Sequence, residues 1–277
     1  MDEKFFDANE SEKALDSKET ILKGDIRGIP FDTHYIGQHY LHSRVKEKVA
    51  QYATYAYENV TDQDNWSVVH EDGEMKVYRR EIEDGEGIVL DPLKATHTVR
   101  GITAREMANI FFYPDTRMEW EGTLEAVEQI ETLDDVTCVY RHLHKRIWPS
   151  QQRETIFCSN MCVLTDVPQT ENSIGGTYFV MNFSVEHPKA RIEPKLVRVK
   201  INISLACQTF TDFPVNNLDD LKRTDINCRL TYTAEVHPGG WAPAKVIRNI
   251  GKREITKFLK KISTFSIDHV SSKPIDL

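Results

Sequence analysis

The feature that most constrains the fold is a long succession of strand-like segments with no long helix between them. From residue 66 to residue 237, eight or nine runs alternate apolar and polar side chains, which is typical of half-buried strands. Parallel strands need long crossover connections, usually helices, and this region offers none of sufficient length. We therefore expect one antiparallel sheet and not a doubly wound parallel one.

The strand-like runs have clear limits. The first two, 66–70 and 74–80, are joined by Asp72-Gly73, a strong hairpin signal. A third run covers about 93–99. Six more strands are predicted at about residues 124–131, 136–147, 153–164, 177–187, 196–210 and 225–237.

Helical spacing is confined to the two ends and one short insertion. Apolar residues at helical spacing predict a first helix over roughly 43–60. Thr103 and Glu106 form a capping box that opens a short helix, and a second short helix follows Pro114. From Pro243 to Ile262 an apolar stripe faces away from a row of lysines, which predicts a long amphipathic helix.

The charge is unevenly distributed along the chain. The 277 residues carry 35 Lys and Arg and 43 Asp and Glu, a net charge of −8, which argues against a protein whose whole surface binds nucleic acid. Residues 1–20 are acidic, and residues 241–262 hold seven cations and one acid. The basic helix has three interpretations: a solvated face, a surface for anionic membranes, or, most weakly supported, a nucleic-acid site.

No signature of catalysis or of a metal centre is present. The sequence lacks the nucleophile elbow, the phosphate-binding glycine loops, the zinc-protease helix motif and paired Cys-x-x-Cys. His142-x-His144, His187 and His237 make a metal site conceivable, but hydrogen-bonded or surface histidines are the simpler interpretation. We expect no catalytic residue, no metal and no cofactor.

Three features of the sequence indicate the cellular compartment of the protein. No apolar run reaches the length of a membrane span, and the N-terminus lacks an apolar signal core. The five cysteines lie in apolar strand-like stretches and are expected to be buried thiols. We expect a soluble, cytoplasmic protein.

Several segments resemble a known family. They resemble the START-domain family of lipid-transfer proteins, and within it the carriers of ceramide; the segments are Asp72–Glu81, Gly87–His97, His144–Pro149, Asn182–Val185 and His237–Pro243. The resemblance implies an α+β helix-grip fold, in which a long C-terminal helix closes a curved antiparallel sheet over a lipid cavity. It places the lipid-binding domain at residues 42–277, behind a flexible leader at 1–41.

The resemblance extends to the residues that hold a ceramide head group. It implies polar contacts from Glu121, Asn182 and Tyr232, and a fourth from His142, where the ceramide carriers have a glutamine. Trp148 and Trp241 match the tryptophans that form a membrane gate. From the residues alone, each tryptophan either packs under a loop or inserts at a membrane interface.

The leader carries a second resemblance. Phe5, Phe6, Asp7 and Glu10, in an acidic flank, are similar to the FFAT motif that docks onto the VAP receptor of the endoplasmic reticulum. Two aromatic anchors and anionic steering suit a basic groove. The motif has Lys4 where the pattern begins with an acid.

Together these resemblances imply a monomeric carrier that moves ceramide from the endoplasmic reticulum to the Golgi and binds both membranes peripherally and transiently. Two alternatives remain. The chain is a START-type carrier of diacylglycerol, sterol or phospholipid, or it is a hydrolase that uses a histidine with Glu121.

Overall fold

The computed structural model describes residues 25–26, 29–30, 39–58, 60, 66–81, 91–146, 151–190, 193–239 and 244–277. Side chains are described from residue 39 onward, except at 244–250. The helices are α1 (Tyr40–Tyr57), α2 (Ala104–Phe112), α3 (Pro114–Trp120) and α4 (Ala244–Val270). The strands are β1 (Asp25–Ile26), β2 (Ile29–Pro30), β3 (Trp66–Asp72), β4 (Met75–Arg80), β5 (Leu93–Arg100), β6 (Leu124–Asp134), β7 (Thr137–His144), β8 (Arg153–Leu164), β9 (Ser173–Ser184), β10 (Val197–Thr211) and β11 (Ile226–His237).

Nine strands form one sheet in the order β3-β4-β5-β11-β10-β9-β8-β7-β6, and every neighbouring pair is antiparallel. The expected antiparallel sheet is therefore confirmed. One local addition is parallel, where Val197–Val199 of β10 pairs with Arg153–Thr155 of β8. The short β1 and β2 pair only with each other.

The two faces of the sheet are covered by different helices. We call the face under α2 and α4 the inner face. Its apolar cluster joins Val180, Leu205 and Leu230 of the sheet to Phe111 of α2 and Leu259 of α4. The opposite, outer face packs against α1 through a second cluster. Because successive strand residues point to opposite faces, the alternating pattern supplies both layers.

A glycine turn and a capping box fix two of the connections between elements. Gly73 has φ of 57° in the turn between β3 and β4, a left-handed conformation that glycine adopts without steric cost. Thr103 accepts from the backbone N–H of Glu106 while the Glu106 carboxylate accepts from that of Thr103, so the capping box is present. The five cysteines are buried free thiols.

The chain beyond α4 is fastened to the start of α2. Arg223 donates to both carboxylate oxygens of Glu106, at 2.9 and 3.0 Å, and to the carbonyls of Lys273 and Pro274. Arg105 pairs with Asp276 at 3.0 Å. None of the described helices is both long and apolar enough to cross a membrane.

Candidate functional site

The four polar residues predicted to hold a ligand all belong to elements that border the inner face. His142 lies on β7, Asn182 on β9 and Tyr232 on β11, and Glu121 caps the C-terminal end of α3. On its strand, each of the three residues lies two positions from a residue of the inner-face clusters. Its side chain therefore points toward α2 and α4 and not toward α1.

Glu121 is held by an ion pair at the end of α3. Arg117, one turn earlier, donates from Nε to Glu121 Oε2 at 2.6 Å, and both side chains are almost buried, with 11 % and 13 % exposed. Thr123 donates to the other carboxylate oxygen at 3.2 Å. The guanidinium also lies 4.6 Å from the centre of the Phe111 ring. This pair puts a fixed carboxylate and a fixed cation at one end of the inner face.

His142 is a neutral imidazole close to this ion pair. It is 4 % exposed, and its ring meets that of Phe157 edge-on at 4.6 Å. Burial lowers its pKa well below 6.5, and the nearby positive charges of Arg117 and His144 lower it further. Among the described residues its ring nitrogens have no hydrogen-bond partner, so one donor and one acceptor are free for a ligand.

Asn182 offers an unsatisfied amide. The side chain is 2 % exposed, and its Oδ1 is buried without a hydrogen-bond partner among the described residues. Directly across the strand pair lies Ser159, another buried polar residue on the inner face. A buried acceptor left unpaired costs about 1–3 kcal/mol. A ligand that donates to Asn182 would recover this energy.

Tyr232 lies where α4 crosses the sheet. Its ring packs against Phe258 of α4 at a centroid distance of 5.0 Å, and Phe258 also touches Trp120 and Phe111. Burial raises the pKa of the Tyr232 phenol, which Arg117 lowers and Glu121 raises to a smaller extent. The phenol is therefore a neutral donor within electrostatic reach of the ion pair.

These polar groups interrupt an otherwise apolar surface. Cys138, Tyr140 and Phe157 form a second inner-face cluster, separate from the large one under α4. Along β8, Ser159 lies between Phe157 of the small cluster and Met161 of the large one. A few polar groups set among apolar walls suit an amphiphile with a small polar head.

Comparison with known proteins gives the family of this fold. The model of a family described as the START domain matches residues 50–270. The chain belongs to the START domain family. The human StAR-related lipid transfer protein 5 (TM-score 0.61, 17 % identity, 82 % of this chain and 97 % of that one) and human STARD10 (0.63, 18 %, 82 % and 81 %) share its fold.

Curated START relatives are more similar in sequence. The ceramide transfer protein of Homo sapiens is 44 % identical over 237 residues, which cover 86 % of this chain and 37 % of that protein. The corresponding protein of Cricetulus griseus is 42 % identical over 240 residues, 87 % of this chain and 39 % of that protein. The chain thus spans less than two fifths of the length of these relatives.

Two other histidines that the sequence offered as metal ligands, His144 and His187, have protein partners. His144 Nε2 lies 3.0 Å from the hydroxyl of Thr155, and His187 Nε2 lies 2.7 Å from a carboxylate oxygen of Glu131. Within the part of the chain that the structure describes, no three His, Cys, Asp or Glu side chains are placed to hold a metal ion.

A groove of about 760 Å³ lies on the opposite side of the sheet, along the second half of α1. It is open to solvent, and its walls include Tyr55, Arg80, Pro168 and Glu235. None of the predicted ligand residues borders it. The inner face is the better candidate because the START-like polar residues and the unsatisfied Asn182 amide lie there.

Two sets of predicted residues lie outside the described part of the chain. They are the gate tryptophans Trp148 and Trp241 and the docking residues Phe5, Phe6, Asp7 and Glu10. Their assignments stay predictions.

Two residues of the site, Arg117 and Ser159, were not predicted from the sequence. Arg117 neutralises Glu121, and the four-residue spacing of the two charges on a short helix was the signal for that pair. Ser159 faces Asn182 across β8 and β9. No local pattern marked Ser159, because its place in the site depends on the strand register.

Proposed function

We propose that this START domain binds one ceramide between the inner face of the sheet and α4 and carries it between membranes. The unsatisfied, buried Asn182 amide among apolar walls is the observation that carries this proposal. The sequence identity to ceramide transfer proteins supports the choice of ceramide.

Each polar group has a distinct role in the proposed complex. Ceramide presents one amide and two hydroxyls, which need donors and acceptors once they leave water. Asn182 accepts from the lipid or donates to it, and Tyr232 donates from a neutral phenol. Glu121, fixed by Arg117, accepts from a hydroxyl. His142 supplies either one donor or one acceptor, according to its tautomer.

The two hydrocarbon chains explain why the lipid must be enclosed. A ceramide carries on the order of 30 methylenes, and each costs about 0.8 kcal/mol in water. The inner-face clusters and α4 provide the apolar walls. A bulky phosphocholine or sugar head finds no matching partners at the polar residues, so selection is by size and hydrogen bonding.

The remaining assignments follow from the sequence resemblance. Trp148 and Trp241 open the cavity at a membrane, and the acidic leader with Phe5 and Phe6 docks onto a VAP receptor of the endoplasmic reticulum. The second membrane is that of the Golgi. The carrier is a cytoplasmic monomer that binds membranes peripherally. It needs no cofactor, and no covalent bond changes.

A transfer assay tests this function. Donor vesicles containing labelled ceramide are mixed with acceptor vesicles and purified protein, and the lipid in both pools is extracted and identified. We expect catalytic amounts of protein to move intact ceramide. Transfer no faster than without protein would overturn the proposal, and recovery of free fatty acid would indicate a hydrolase instead.

His142 favours a second candidate function, the transport of another lipid. An imidazole differs in shape and in hydrogen-bonding capacity from the glutamine of the ceramide carriers. The same assay with diacylglycerol, sterol and phosphatidylcholine separates the two candidates. If one of these lipids moves faster than ceramide in the wild type, and His142→Gln reverses the order, this residue sets a different specificity.

A further inference from the structure

Two lysines converge on one glycine beside the ion pair of the inner face. Lys145, just after β7, donates from Nζ to the carbonyl of Gly122 at 2.9 Å. Lys261 of α4 approaches the same residue so closely that a Cβ on Gly122 would lie 3.0 Å from its Nζ. Both side chains are exposed. Glycine at this position leaves the space next to its Cα open for the Lys261 ammonium.

These two ammonium groups lack the counter-charges that their neighbours have. On α4, Arg253 and Lys257 pair with Glu254, and Lys260 pairs with Asp72 at 2.6 Å. Within the described residues, Lys145 and Lys261 form no ion pair. The carboxylate next to Gly122 in the chain, Glu121, is already neutralised by Arg117. Two positive charges thus approach one turn, and neither has an ion-pair partner in the part of the chain that the structure describes.

We propose that Lys145, Lys261 and the Gly122 turn form a binding site for the phosphate of an anionic lipid head group in a membrane. Ammonium groups that converge without a carboxylate partner bind phosphate as point charges. The proposal rests on the proposed function, because a carrier must meet a membrane surface to load and unload.

An apolar neighbour favours a lipid over a free phosphate. Met118 of α3 is 41 % exposed and lies one helical turn before Gly122. An exposed methionine beside paired cations suits the boundary between head groups and acyl chains, where apolar contact and attraction to anionic lipid act together. A phosphate bound here would also lie one residue from Glu121, next to the proposed ceramide head site.

Vesicle flotation tests this site directly. The probes are phosphatidylcholine vesicles with and without phosphatidylserine, and inorganic phosphate serves as the soluble arm. With the anionic vesicles, Lys145→Gln with Lys261→Gln should weaken partitioning about 30-fold, and each single variant about 5-fold. Lys145→Arg should retain binding, because it keeps the charge.

The matched control is Lys48→Gln with Lys195→Gln, which removes the half-buried cation of Lys48 from α1 and the exposed cation of Lys195 from the loop before β10. This control should change flotation by less than about twofold, because its lysines lie away from the turn. Equal flotation of the test variant and the control would overturn the proposal. Tight binding of inorganic phosphate, with flotation unchanged, would identify a free-anion site and overturn the membrane assignment.

Capture of ceramide, measured on the same preparations, keeps the two proposals apart. The turn variant should still hold ceramide that was loaded from detergent, since the lysines do not border the inner-face amide. If the wild type fails to hold ceramide but its anionic flotation depends on both lysines, the proposed function fails and the phosphate site stands. An unchanged melting temperature of the variant excludes unfolding as the cause of lost flotation.

Discussion

Glu121 has a structural role as well as a proposed ligand role. Its partner Arg117 is buried, and removing one member of a buried ion pair leaves the other charge uncompensated. We predict that Glu121→Gln lowers the free energy of unfolding by about 3 kcal/mol. Urea denaturation measures this loss. The double variant Arg117→Met with Glu121→Gln should recover most of it, because no isolated charge remains.

Glu254→Gln is the control for this pair, because Glu254 is 41 % exposed and pairs with cations at the surface. It should cost less than about 1 kcal/mol. Equal losses for Glu121→Gln and Glu254→Gln would contradict the structural role of Glu121.

His142 makes the stability of the protein depend on pH. Its pKa in the folded protein lies well below the ordinary value of 6.5, because burial and Arg117 disfavour the charged ring. Above pH 6.5 the imidazole is neutral in both the folded and the unfolded chain. Below it, the unfolded chain binds a proton that the folded protein does not, so stability is lost as the pH falls.

We predict that His142→Gln reduces the fall in melting temperature between about pH 7.5 and about pH 5.5. Thermal melting followed by circular dichroism measures the effect. His269→Gln, near the end of α4, is the matched single-imidazole control. If the wild type and His142→Gln lose stability in parallel over this range, the buried neutral imidazole does not control the acid response.

At the scale of the element, α4 is fastened at its C-terminal end by Arg223. This side chain neutralises Glu106, which is 7 % exposed, and holds the carbonyls of Lys273 and Pro274. Arg223→Ala removes all these contacts and leaves the Glu106 carboxylate, which still accepts from the Thr103 N–H, without a positive partner. We predict faster amide hydrogen exchange in residues 271–277 and at the start of α2, while the centre of β10 stays protected.

Arg253→Ala removes an exposed arginine of α4 that pairs with Glu254, and it serves as the comparison for Arg223. Its exchange should match the wild type over residues 271–277. Unchanged exchange of this segment in Arg223→Ala would show that the arginine does not fasten the end of the chain.

The elements themselves were largely predictable from sequence periodicity. The antiparallel strands, the Asp-Gly hairpin and the Thr103 capping box all follow from local chemistry and are confirmed. The last helix extends past the predicted Ile262 to Val270, because Ser266 is buried and continues the inward face beyond the strictly apolar stripe.

β9 begins at Ser173, earlier than predicted, and includes Gly175 and Gly176, which have low strand propensity. At Gly176 a Cβ would lie 2.5 Å from Val163, so the close approach of β8 requires glycine there.

The site was less predictable than the strands. In the structure His142, Asn182 and Tyr232 share the inner face, whereas the sequence named them only through the family resemblance. Alternation along a strand assigns each residue to a face of its own strand. It does not tell which strands lie side by side, so the opposition of Ser159 and Asn182 follows only from the register. The parallel contact between β8 and β10 is likewise non-local.

At the scale of the whole molecule, the proposed function separates entry and exit of the lipid from its retention. We predict that Trp148→Ala with Trp241→Ala slows ceramide transfer between vesicles at least about tenfold, while protein already loaded with ceramide keeps its lipid in solution. The loss of two aromatic anchors at the membrane interface supplies the physical reason. A stopped-flow transfer assay and a retention assay on the same protein measure the two steps. Equal transfer by variant and wild type would remove the gate role.

The most direct test of the central claim is native mass spectrometry of the protein after incubation with mixed lipids. Asn182→Leu is the matched variant, because it keeps a similar volume and removes the unsatisfied amide. We predict one ceramide per wild-type chain and at least about tenfold less in Asn182→Leu, with an equal or higher melting temperature of the lipid-free variant. A wild type that carries sterol or phosphatidylcholine but no ceramide, or a variant that captures ceramide as well as the wild type, would contradict the account.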